Sequence, residues 1–230
     1  MNGLKIQFKT SFYLLQGYFW SIIGLKFLDI ILSLIWGNEK DTYVSPGNFI
    51  TIFLLFVATV LPLSYFKRVI NLGASRNEYY TGLLSIYAIW IGIFAVFNVI
   101  CLKIEMSLSL IYKYNYMNIL EIFHWDQFGI IGMFIYQIGV YLLVVSILNL
   151  LFSCLQHFIG WIIWIILIVA AIWISISFST LKPKLVEISL TLLSNDSLLQ
   201  GFGLNFLISC LFLTTGWLFT RKRLILWNRG

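Results

Sequence analysis

The chain has 230 residues, 60% of them hydrophobic, 18% aromatic and only 10% charged, with a formal net charge of +6. Soluble domains carry roughly 25% charged residues, so this composition excludes a water-soluble enzyme and points to an integral membrane protein. Apolar runs of about 20 residues, long enough to carry a helix across ~30 Å of hydrocarbon, recur along the chain, and the alternating pattern of a membrane barrel does not.

The opening stretch "MNGLKIQFKTSF" is basic, with Leu4, Ile6 and Phe8 set between Lys5 and Lys9. No separate apolar core with a small-residue cleavage site precedes the first long run, so no removed signal peptide is expected. The spans predicted from the apolar runs are 12–36, 47–66, 79–102, 128–152, 158–178 and 201–219, giving an all-α fold of six transmembrane helices in one domain over 1–230. Within the first span, Lys26 and Asp29 stand three residues apart and so share a helix face. A charge near the bilayer centre costs about 2.5–3.5 kcal/mol on insertion scales. The pair reads either as an intramembrane ion pair facing a substrate route or partner protomer, or as a lysine snorkelling outward beside its aspartate.

Pro62 falls inside the second span and predicts a kink near its end. Between the second and third spans lies the polar passage "NLGASRNEYYTG", residues 71–82. Gly73 lets the incoming helix end, Ser75 is a candidate N-cap, and Glu78 three residues later completes the capping-box pattern S-x-x-E. The segment 67–78 therefore predicts a turn followed by a short, deliberately started cytoplasmic helix that leads into the third span and exposes Arg76, with Tyr79 and Tyr80 as interfacial aromatics.

Residues 103–127 and 184–199 mix apolar and polar residues. The second places Leu185, Ile188, Leu192 and Leu199 at helical spacing, and both segments read as amphipathic helices on the interface, either a cap over helix ends or a substrate gate. Glu121, His124 and Asp126 gather in the first of them, a poor ligand set for a metal and a weak acid–base site. No metal site is expected. Cys101, Cys154 and Cys210 each stand alone in an apolar run and read as small apolar residues. Asn98, Gln137 and Asn149 read as interhelical glue, and Gly129, Gly132, Gly201 and Gly203 permit close helix approach without forming G-x-x-x-G.

Orientation follows from the basic residues. With the N-terminus inside, Lys5, Lys9, Lys67, Arg68, Arg76, Arg221, Lys222, Arg223 and Arg229 fall on the cytoplasmic side, against Lys40, Lys103, Lys113, Lys182 and Lys184 outside. Both termini are then cytoplasmic, and the positive charge is a matter of membrane orientation rather than nucleic-acid binding.

Six spans, a basic amphipathic start and a "GxSRxxYYxG"-like passage after the second span resemble the permease subunits of ABC-2 type ABC transporters. "LGASRNEYYTG", Leu72 to Gly82, is similar to the segment those permeases use as a coupling helix against their ATPase. The resemblance implies a bacterial cytoplasmic-membrane location, a homodimer or heterodimer of permease copies, and ATPase coupling through Gly73, Ser75, Arg76, Glu78, Tyr79 and Tyr80. It implies no catalytic residue in this chain, with ATP and Mg bound by a partner ATPase subunit, in keeping with the lack of a G-x-x-x-x-G-K-[ST] loop. The implied cargo is amphipathic or hydrophobic, a small peptide such as a bacteriocin first and a lipid-like molecule second. Two competing classes are a non-transport immunity or scaffold factor that binds a peptide or membrane partner, and an intramembrane enzyme built on His124 and Asp126.

Overall fold

The computed structural model describes residues 42–112, 115–155, 157–176 and 191–223, most of 11–21, and single positions at 9, 23, 24, 28 and 31. The proposed pair Lys26 and Asp29 lies outside the described residues, as do Leu185 and Ile188.

Long apolar runs give helices, and the described chain is overwhelmingly helical. The described positions between 11 and 31 are helical; β1 (Thr42–Val44) follows, then α1 (Pro46–Val60), a π-helical turn at Leu61–Tyr65, and α2 (Phe66–Asn71). The chain continues with α3 (Arg76–Tyr112), β2 (Asn115–Met117), α4 (Ile119–Ile122), a 3-10 turn at Trp125–Phe128, α5 (Gly129–Cys154), α6 (Phe158–Ile176) and α7 (Leu198–Lys222). β1 and β2 pair in parallel, Tyr43 opposite Tyr116, a three-residue departure from an all-helical fold.

Among the described residues, four stretches are long and apolar enough to cross a membrane: Pro46–Asn71, Arg76–Leu108, Trp125–Cys154 and Leu198–Lys222. They suit a multi-pass membrane protein. The third helix departs from the expected span of 79–102 at both ends. It starts at Arg76 because the capping pair Ser75 and Glu78 starts it there, and it runs on to Tyr112 because no glycine or proline interrupts it after Gly92. Residues 103–112, read as part of an interfacial segment, are thus a continuation of this helix.

The core lies where α1, α3 and α5 meet, around Phe53, Val57, Leu61, Leu83, Tyr87, Phe94, Tyr141 and Val145. Phe53 stacks edge-on against Trp90 and Phe94 at 5.4 and 5.6 Å between ring centroids. α5 and α7 form the most extensive helix pair, and glycine makes it possible. At Gly201 a Cβ would meet the Tyr136 ring at 2.4 Å, and at Gly139 it would meet Phe202 at 2.9 Å. A smaller cluster of Val99, Leu102, Leu120, Trp125, Met133, Tyr136 and Val140 closes one end of the bundle.

Candidate functional site: the turn between the second and third long helices

The 71–82 passage folds as two caps placed back to back. α2 ends in a Schellman arrangement: Gly73 N–H donates to Ile70 O (2.9 Å) and Ala74 N–H to Val69 O (3.3 Å). Gly73 has φ of +89°, a left-handed conformation that other residues adopt only under strain. Two residues on, Ser75 N–H donates to Glu78 Oε2 (2.8 Å), and Glu78 N–H donates to Ser75 Oγ (3.2 Å), the reciprocal pair of a capping box. Leu72, at the apex, is 69% exposed, an apolar side chain presented outward.

Arg76 does not project freely. Its guanidinium donates to Arg221 O and, at 3.0 Å, to Arg223 O. Those are carbonyls at the C-terminus of α7, which a helix leaves without intrahelical donors. Arg223 is itself buried and carries the link onward. It donates to Pro62 O (2.6 Å) and Leu63 O (3.4 Å), and its guanidinium stands 4.3 Å from the Phe66 ring centroid. These acceptors belong to the π turn that occupies the position of the kink expected at Pro62. Arg76 therefore joins the start of α3 to the end of α7, and Arg223 joins the end of α7 to the bend after α1.

Tyr79 and Tyr80, expected at the membrane surface, lie inside the bundle at 1% and 6% exposure. Tyr79 packs edge-on against Phe66 at 5.0 Å. Tyr80 donates to Leu213 O on α7, and its hydroxyl accepts from Asn149 Nδ2 (3.5 Å), whose Oδ1 in turn accepts from Tyr87 (3.1 Å). Gly216 makes room for this group, since a Cβ there would stand 2.8 Å from Asn149 Nδ2. The sequence showed two aromatics beside charges, the usual mark of an interface, and gave no sign that α7 covers them. His157 lies at the same end, its Nε2 2.9 Å from Phe219 O.

The opposite end of the bundle gathers residues 42–48, 105, 115–128 and 191–198. Trp125 Nε1 donates to Leu193 O, and Leu192 O accepts from Asn205 Nδ2 (2.9 Å) and Tyr136 OH (3.3 Å). Residues 191–197 are therefore tied onto the helix ends by these hydrogen bonds, with Thr191 and Asp196 exposed. His124 is exposed, with φ of 56°; Asp126 is exposed and Glu121 half-buried. Partial burial, then the Asp126 and Glu105 carboxylates, hold Glu121 above the ordinary carboxylate pKa. Among the described residues, no group of three or more His, Cys, Asp or Glu side chains comes together as a metal set. Cys101 and Cys210 are half-buried, Cys154 is buried, and all three are free.

An apolar cleft of about 400 Å³ opens between the 12–19 stretch, α1 and α3, lined chiefly by Phe12, Leu15, Phe19, Phe53, Trp90 and Phe94, with Gln16 as the one strongly polar side chain. No family model matches the chain, and neither the curated proteins nor the solved structures contain a match to it.

Proposed function

We propose that the chain is the membrane-spanning permease subunit of an ATP-driven exporter, with six spans and cytoplasmic termini in a bacterial cytoplasmic membrane. A second permease copy completes the channel, and separate ATPase chains supply the ATP and Mg chemistry. The observation that carries this reading is the connection made by the 71–78 turn. A force applied at its exposed apex passes through Arg76 to the end of α7 and through Arg223 to the bend after α1. An element whose only task was to reverse the chain would need neither link. The aromatic cleft supports an amphipathic or hydrophobic cargo, with a peptide favoured over a lipid-like molecule.

The link also separates docking from folding. Leu72 caps α2 through its backbone alone and turns its side chain outward, whereas the Arg76 side chain holds two helices together, so Leu72→Asp tests docking without dismantling the bundle. The tagged chain is purified from its native membranes, co-purifying protein is quantified by mass spectrometry, and ATP hydrolysis is assayed. Wild type is expected to carry a roughly equimolar ATPase, and Leu72→Asp to lose most of it at unchanged melting temperature. Wild-type chain that brings down no ATPase would overturn the reading and favour a peptide-binding immunity or scaffold factor using the same cleft.

A further inference from the structure

Cations gather at the end of the bundle that holds the 71–78 turn. Lys67 and Arg68 lie on α2, Arg76 opens α3, and Arg221, Lys222 and Arg223 close α7. Among the described residues Glu78 is the only carboxylate at that end, and the capping box engages it. Arg76 and Arg223 direct their guanidinium groups to backbone carbonyls and hold the fold together. Lys67, Arg68, Arg221 and Lys222 are exposed, and among the described residues none of these four side chains makes a hydrogen bond or an ion pair.

Their places on the helices separate a lipid from a soluble partner. On α7, Leu204, Leu207, Leu211 and Leu218 are exposed at spacings of three, four and seven residues, which puts them on one helix face. Arg221 and Lys222 follow Leu218 by three and four residues and so crown that face. Along α1 and its π turn, exposed Ile52, Phe56 and Leu63 repeat the pattern, and Lys67 follows Leu63 by four. An exposed apolar stripe on a membrane-spanning helix faces acyl chains, and a cation at its end stands at headgroup depth. The apex of the turn, the surface open to a soluble partner, presents Leu72 instead.

The two crowned ends are neighbours. Arg223 donates to Pro62 O and Leu63 O, which brings the end of α7 against the turn that leads into α2. Lys67 lies four residues beyond Leu63, about 6 Å of helix rise. Separations of that order fall inside the ~10 Å screening length at about 0.1 M salt, so the four charges add to one local positive field.

We propose that the ends of α2 and α7 form a docking surface for an anionic phospholipid, its phosphate against Lys67, Arg68, Arg221 and Lys222 and its acyl chains along the leucine stripe of α7. Charge complementarity selects the anionic headgroup, because a zwitterionic one carries its own cation to the same place. The surface needs only a bilayer and is independent of the permease reading.

The test is thermal unfolding of the full chain, followed by the fluorescence of its nine tryptophans, in nanodiscs of phosphatidylcholine alone and of an even mixture of phosphatidylcholine and phosphatidylglycerol. The mixed discs are expected to raise the wild-type melting temperature by roughly 4–8 °C at about 0.1 M salt, and the rise should vanish near about 1 M, where the screening length falls to ~3 Å. Inorganic phosphate added to the phosphatidylcholine discs should give no rise, which sets a lipid headgroup apart from a free anion. Lys67→Gln with Arg68→Gln, and Arg221→Gln with Lys222→Gln, should each remove about half of the rise, and all four together should abolish it. Arg68→Lys with Arg221→Lys should keep it, because the surface needs charge and not the guanidinium fork. If the fourfold variant does not fold, the two pair variants decide. Equal melting temperatures in the two discs, the same rise with inorganic phosphate, or a rise unchanged in both pair variants would overturn the surface and leave the four cations as marks of orientation or as contacts for an acidic protein.

Discussion

At the scale of single residues, the two arginines of the turn show how position changes what one side chain contributes. Arg76 is half-buried, whereas Arg223 is buried, its planar fork reaching two carbonyls and facing the Phe66 ring. A lysine keeps the charge but presents a single ammonium that cannot reproduce that fork. Arg223→Lys is expected to destabilise the protein by about 1.5–3 kcal/mol, the range for hydrogen bonds to charged groups, read as a lowered denaturation midpoint in detergent. From the sequence, Arg223 was legible only as one basic residue in "TRKR", a mark of orientation. Its role depends on the π turn, which comes from residues some 160 positions earlier. The capping box, by contrast, was fully legible in "SRNE", because both partners lie within four residues and local spacing alone brings them together.

Among the elements, the seam between α5 and α7 separates glycines that look alike in the sequence. Gly201 and Gly203 stand two residues apart on α7, yet a Cβ at 201 would strike the Tyr136 ring, whereas one at 203 meets nothing within 4 Å. Gly201→Ala is expected to cost about 1–3 kcal/mol through overpacking against a ring held on a neighbouring helix. Gly203→Ala should instead stabilise by up to about 1 kcal/mol through helix propensity. Opposite shifts in melting temperature would check both. Periodicity placed these elements well where a long apolar run ends at a cap or a proline, as for α1 and its bend. It misplaced a boundary at residues 103–112, read as the start of a separate amphipathic helix on the interface, where the backbone instead continues α3 without a break and Glu105 turns inward. A buried carboxylate and a solvated one leave the same mark in a sequence when the groups that shield them come from other segments.

Across the whole molecule, the described helices assign chain segments to two ends. Residues 61–79, 157 and 216–223 share one end, and residues 42–48, 105, 115–128 and 191–198 share the other. The proposed orientation makes the first end cytoplasmic, in line with Lys67, Arg68, Arg76, Arg221, Lys222 and Arg223. Single cysteines placed at Asn77 and at Asp126, in a chain whose three native cysteines are replaced, distinguish the ends by reaction with a membrane-impermeant maleimide. Asn77→Cys should react only after the cells are permeabilised, and Asp126→Cys in intact cells. The reverse pattern would place the turn where no cytosolic ATPase can reach it. The π turn at Leu61–Tyr65 has a bearing on how such a bundle moves. A π turn carries one residue more than the α-helical turn it replaces, so relaxing it to α would advance the following segment by about 1.5 Å and rotate it by about 100°. Arg223, seated on two carbonyls of that turn, would have to release Pro62 O and Leu63 O before such a one-residue step.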